Sequence, residues 1–76
     1  MQVWVETYAG HGGLEMPRRF RLDEREIDVI ENLDQWCGVQ CRYFKVRGDD
    51  ESVYIILRFD EIRVVWELVM LQRPQT

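Results

Sequence analysis

Two cysteines separated by three residues, Cys37-Gly-Val-Gln-Cys41, are the first groups in this chain whose type and spacing could do chemistry. Paired thiolates can bind zinc, close a disulfide or, beside an imidazole, act as a nucleophile. Each use asks for partners. A structural zinc site takes four ligands, and the chain offers only these two cysteines and one histidine, His11. Carboxylates would have to complete the sphere, so no metal site is expected. A Cys–His dyad would need the loop Gly10-His11-Gly12-Gly13 to fold over Gly38, and a disulfide across so short a bend is disfavoured in a reducing cytosol. The reading is two reduced, part-buried thiols and no catalytic residue.

Other segments carry weaker signals. The sequence YAGHGG is glycine-rich but lacks the Lys-Ser or Lys-Thr of a phosphate-binding loop and opens no evident helix. The run Asp49, Asp50 and Glu51 could gather around a divalent cation, yet carboxylates after Gly48 are the ordinary composition of a solvated hairpin turn. No cofactor is expected. Trp4, Trp36 and Trp66 could stack bases if exposed beside arginines, although in so small a core tryptophans are expected to be principal packing residues.

Charge bears on partners. The net charge is −4, which opposes nucleic acid, because phosphate binding draws on cations that release counterions. Nine of the ten basic residues are arginine, grouped at Arg18, Arg19, Arg21 and Arg25 and again at Arg42, Lys45 and Arg47. Carboxylates such as Asp23, Glu24, Asp49 and Asp50 lie beside them, so cross-strand ion pairing is the expected use. Trp36, Arg42, Lys45 and Arg47 form the weaker basic and aromatic patch on which a nucleic-acid-binding small barrel would depend.

These groups must be positioned by short alternating segments. Val3 to Tyr8 alternates as a strand, the glycine loop ends it, and Pro17 holds the residue before it extended. Phe20 and Leu22 begin a second strand. A two-residue turn at Asp23-Glu24 places Arg21 opposite Glu26, Phe20 opposite Ile27 and Arg19 opposite Asp28. Helix over residues 24–37 is the competing reading. Asp23 and Glu26 resemble a capping box, and Val29, Ile30, Leu33, Trp36 and Cys37 fall within an arc of about 120° on a helical wheel. A strand through about Glu31 is preferred for its β-branched residues, with a bend or helical turn over residues 33–38.

Three alternating runs between Arg42 and Leu71 predict an antiparallel meander. A loop over Gly48 to Glu51 places Val46 opposite Val53 and Phe44 opposite Ile55. A connection over residues 60–63 places Leu57 opposite Trp66, Ile55 opposite Leu68 and Val53 opposite Met70. The opposite face then carries Tyr43, Tyr54, Ile56, Val65 and Val69 among Lys45, Arg47, Arg58 and Glu67, too apolar for a sheet face left to water. Those five apolar residues are the expected interaction face, covered by the N-terminal strands or by another molecule.

Glu-Thr-Tyr-Ala-Gly (6–10), Pro-Arg-Arg-Phe-Arg-Leu (17–22), the spaced residues Arg25 to Gly38, YFKVRGDD (43–50), Tyr54-Ile55 and Trp-Glu-Leu (66–68) resemble a family of short bacterial proteins with no assigned activity. The resemblance spans nearly the whole chain, and it supplies no catalytic residues. This chain departs from the pattern in an apparent extra residue within VYIILRFD, in Ile62-Arg63-Val64-Val65, and in both cysteines.

The expectation is thus one small domain over residues 1–76 with a polar tail at 72–76. It is all-β, an antiparallel meander of five to six strands curled towards a barrel, with α+β as the alternative. A domain of 76 residues buries only about 60% of its unfolded surface and has about 4 to 11 kcal/mol of stability, so a partner surface could matter to it. The expected role is non-enzymatic binding or assembly, with a second copy or a protein as partner. No segment reads as a membrane span or signal peptide, and the location expected is cytoplasmic. Metal analysis of protein purified without chelators should find no stoichiometric zinc; one equivalent per chain, lost in Cys41→Ser, would overturn that expectation.

Overall fold

The computed structural model describes residues 2–9, 15–60 and 64–72. Six antiparallel strands follow one another around a closed barrel: β1 (Gln2–Ala9), β2 (Glu15–Leu22), β3 (Arg25–Gly38), β4 (Cys41–Gly48), β5 (Val53–Asp60) and β6 (Val64–Gln72). The fold is all-β, and Gln72 belongs to β6 rather than to a polar tail. The glycine loop with His11, the connection at 61–63 and the tail beyond Gln72 lie outside the described residues.

The β2–β3 register is the expected one, with Arg19 opposite Asp28, Phe20 opposite Ile27 and Arg21 opposite Glu26. A two-residue turn sets it, and Asp23 alone takes a positive φ, of 57°. Helix over 24–37 is corrected: β3 runs fourteen residues to Gly38. Its ladder with β4 skips Ile30 and Leu33, and such bulges each insert one residue and deepen the twist. Two bulges three residues apart break the period of two, which is why the apolar spacing mimics a helix.

The later registers differ from expectation, by one residue between β4 and β5 and by one, then two beyond a bulge, between β5 and β6. Gly48 N donates to Ser52 O and Glu51 N donates to Gly48 O, both at 2.9 Å, and Glu51 has a φ of 67°. The loop is therefore three residues, 49–51, ending in a left-handed residue. Val46 faces Tyr54, Phe44 faces Ile56 and Arg47 faces Val53. Between β5 and β6, Arg58 faces Trp66, Leu57 faces Glu67 and Ile55 faces Met70, with Val69 the skipped residue of a bulge. Because side chains alternate with period two, the one-residue slip between β4 and β5 exchanges the faces of β5. Tyr54 and Ile56, expected on an interaction face, are fully buried with Phe20, Phe44 and Val46.

Val3, Leu22, Ile27 and Trp66 complete this core cluster. The Phe20 and Tyr54 rings meet edge to face at 4.8 Å, a geometry suited to the aromatic quadrupole. The Tyr54 hydroxyl donates to Asp50 Oδ2 at 2.5 Å, and Asp50 Oδ1 accepts from Ser52 N at 3.1 Å. Arg25 stands 4.0 Å from the same carboxylate. Asp49 N donates to Asp28 O at 2.8 Å, tying the turn to β3. Gly48 leaves room for this arrangement: a Cβ there would lie 2.5 Å from Ile27 Cγ2 and 3.0 Å from Tyr54 Cε2.

These contacts set a pH window. The Tyr54 hydroxyl is pushed up from 10.0 to about 12, by burial first and then by its bond to Asp50 and that carboxylate's charge. Burial pushes the Asp50 carboxyl up, but its hydrogen bonds from Tyr54 and from the backbone of Ser52 and Asp50, with Arg25 nearby, outweigh burial and hold it below its ordinary value. The fold thus favours the neutral phenol, a stabilisation complete below pH 10 and lost as pH rises through about 12. It also favours the carboxylate, a contribution lost as pH falls through the lowered Asp50 value. Tyr54→Phe keeps the ring packing and removes the hydroxyl. Chemical denaturation at pH 7 should show a loss of about 1.5 kcal/mol, the low end for a bond to a charged group because Asp50 keeps some water, and the alkaline decline should flatten. An unchanged stability would remove the bond from this account.

Candidate functional site

The hairpin joining β3 to β4 carries both cysteines. Its two-residue turn is Val39-Gln40, closed by Gly38 opposite Cys41, with Gln40 at a φ of 55°. Cys37 faces Arg42. Residues directly opposite share a sheet face while neighbours along a strand alternate, so Cys37 and Cys41 project from opposite faces of the ribbon. Cys37 is exposed and Cys41 is half-buried, and neither is in a disulfide. Among the described residues no three metal-ligating side chains come together. Asp50, raised above as a cation ligand, is already engaged by Tyr54 and Ser52.

On the outer wall of the same ribbon, Trp36 lies opposite Tyr43. Their rings stack at 5.2 Å with 7° between planes. Lys45 and Arg47 share this face of β4, but Lys45 stands opposite Asp34, and Arg47 Nη1 bonds Glu31 Oε1 at 2.6 Å. Arg42 projects to the other face beside Cys37. The basic and aromatic patch is therefore divided between two faces and interleaved with carboxylates. The N-terminal arginines are similarly engaged, Arg19 with Asp28 and Glu6, and Arg21 with Glu26 at 3.6 Å.

The expected interaction face also divides. Tyr54 and Ile56 are core, whereas Tyr43 and Val65 remain half-buried and Val69, at the β6 bulge, is 52% exposed. The outer wall of β4 and β5 instead presents Val53, Ile55 and Leu57 beside Tyr43, with Leu57 buried among its neighbours. Leu71 is exposed further along β6.

Sequence reasoning missed the place where the barrel closes. Trp66 packs inside against Phe44, but Trp4 is 53% exposed, its ring beneath the Arg21 guanidinium at 5.7 Å. Among the described residues the β1–β6 ladder pairs Gln2 with Glu67 and Val3 with Trp66. Where it lapses, an open cleft of about 530 Å³ is lined by Gln2, Val3, Trp4, Val5, Val65 and Trp66. The strict alternation of Val3, Trp4 and Val5 was the available signal, since burying the valines turns the tryptophan outward.

Oxidation tests the placement of the thiols. Mild oxidant should leave the monomer's intact mass unchanged and generate only disulfides between chains through Cys37; a monomer lighter by two hydrogens would contradict the opposite-face assignment.

No helix among the described residues is long and apolar enough to cross a membrane, which says nothing of strands. In comparisons with known proteins, the chain matches no family model, no curated protein and no solved structure.

Proposed function

We propose that this chain is a non-enzymatic binding or assembly module that works through the outer wall of its barrel, with a second copy or a protein as partner. One observation carries the reading: the interior is filled by fully buried side chains, while large apolar residues stand exposed on the wall, among them Trp4, Val69 and Leu71 on the two strands that close the barrel. Contact through such residues removes apolar surface from water at roughly 25 cal/mol per Å², a useful increment for a domain this small. Unpaired thiols on opposite faces suit a reducing, cytoplasmic setting.

The nucleic-acid reading draws less support. Arg19, Arg21, Arg25, Arg47 and Arg58 each have a carboxylate within 4.0 Å, and a phosphate would have to displace it. The resemblance to short bacterial proteins adds no chemistry to choose between partners.

Sedimentation velocity over a concentration series tests the reading, with Val69→Lys as the variant because a bulged, exposed position tolerates lysine. The expected result is a wild-type dimer at high concentration, a monomeric variant, and equal thermal midpoints. A wild type that stays monomeric and retains no protein from native cell extract would overturn the proposal.

A further inference from the structure

We infer that the seam between β1 and β6 is a docking groove for an extended peptide segment of a partner protein, one that carries an apolar side chain flanked by lysine or arginine. This rests on the binding-module reading and names where the partner sits and what chemistry it brings. The seam is an interruption in the wall. Past Val3 and Trp66 the β1–β6 ladder lapses, and the cleft that opens there borders Val5 and the edges of the largely buried Val3 and Trp66. Gln2, Trp4 and Val65 line the cleft with them, so its lining is mostly apolar. A second recess of about 310 Å³ is lined by Gln2, Val3, Trp4, Arg21 and Asp23. Gln2, Val3 and Trp4 line both, so the two recesses adjoin at Trp4.

Shape argues for an extended chain. Sites for small ligands are concave and cover most of the ligand surface, whereas both recesses here are open to solvent. A peptide strand laid beside a sheet combines side-chain anchors at alternate positions with main-chain bonds, and among the described residues β1 beyond Val3 is laddered on its β2 side alone.

Charge selects the segment. Asp23 lines the second recess, and Glu67 stands opposite Gln2 at the first. Neither has an ion-pair partner among the described residues. The nearby cations are engaged, Arg21 with Glu26 and the Trp4 ring, Arg58 with Glu15 and the Trp66 ring. The rim therefore has carboxylates to offer and attracts cationic side chains on either side of an apolar anchor. The same sign disfavours a phosphate backbone.

Nuclear magnetic resonance of ¹⁵N-labelled protein reads this directly, because the three indole N–H groups report separately. The probe is a capped octapeptide of alternating lysine and valine, with an alternating glutamate and valine octapeptide as control. The lysine peptide should shift the Trp4 and Trp66 indole signals and leave Trp36 in place. Asp23→Asn with Glu67→Gln should weaken the lysine peptide by about two- to fivefold, the range of exposed ion pairs, and Trp4→Ala, an exposed position, should abolish the response while the remaining amide spectrum stays folded. No shift at millimolar peptide, equal shifts at Trp36, or equal binding of the glutamate peptide would overturn the groove. Sedimentation on the same samples separates the two proposals: self-association with an unresponsive seam rejects the groove and leaves the binding-module reading standing.

Discussion

The hydrogen bond from Tyr54 to Asp50 is the contact on which the rest of this barrel depends, because it joins the core to the turn that sets the register of β4 and β5. A phenol carried to the centre of a small core needs an acceptor for its hydroxyl. The turn supplies one, and the same carboxylate takes the Ser52 amide, so one side chain satisfies a core donor and a loop donor together. Gly48 makes the approach possible. Asp49 carries the connection on to Asp28 of β3, and through Asp28 to Arg19 of β2. Four successive strands are thus keyed to a three-residue loop.

Closure asks for more than register. A six-stranded sheet must coil to bring β1 to β6, and the skipped residues in the β1–β2, β3–β4 and β5–β6 ladders provide the added twist. Bulges also decide what reaches solvent. Ile30 and Val69, apolar residues that strict alternation would assign to a face, stand at skipped positions and are 58% and 52% exposed. The β1–β6 ladder lapses past Val3 and Trp66, and the cleft at Trp4 opens where it does.

What was legible in the sequence follows from what local chemistry determines. The β2–β3 register could be read because a two-residue turn allows one pairing, and because charges and apolar groups agreed on it. The β4–β5 register could not, since Gly48 to Glu51 reads equally well as a four-residue loop, and only the left-handed Glu51 and the buried Ser52 distinguish the three-residue one. That single residue moved Tyr54 and Ile56 from a supposed interaction face into the core. The apolar character of the outer wall survived the slip with different members, Val53, Ile55 and Leu57 beside Tyr43. The bulges of β3 were illegible for a related reason: two extra residues three apart resemble a helical period, and only cross-strand pairing tells them apart.

The three tryptophans show why residue type alone decides little about function. Trp66 lies in the core against Phe44, Trp36 has one ring face covered by Tyr43, and Trp4 stands at an open seam under Arg21. Burial, self-stacking and exposure beside a cation are three environments for one side chain, and only the last two leave surface for another molecule. Beside Trp36, Arg47 is paired with Glu31 and Lys45 stands opposite Asp34 in the ladder, so cations and carboxylates alternate on that face. Near Trp4, Arg21 and Arg58 are paired with Glu26 and Glu15, whereas among the described residues Asp23 and Glu67 have no ion-pair partner. Apolar area supplies attraction without identity, and it is the unmatched charge at its rim that gives a surface its specificity.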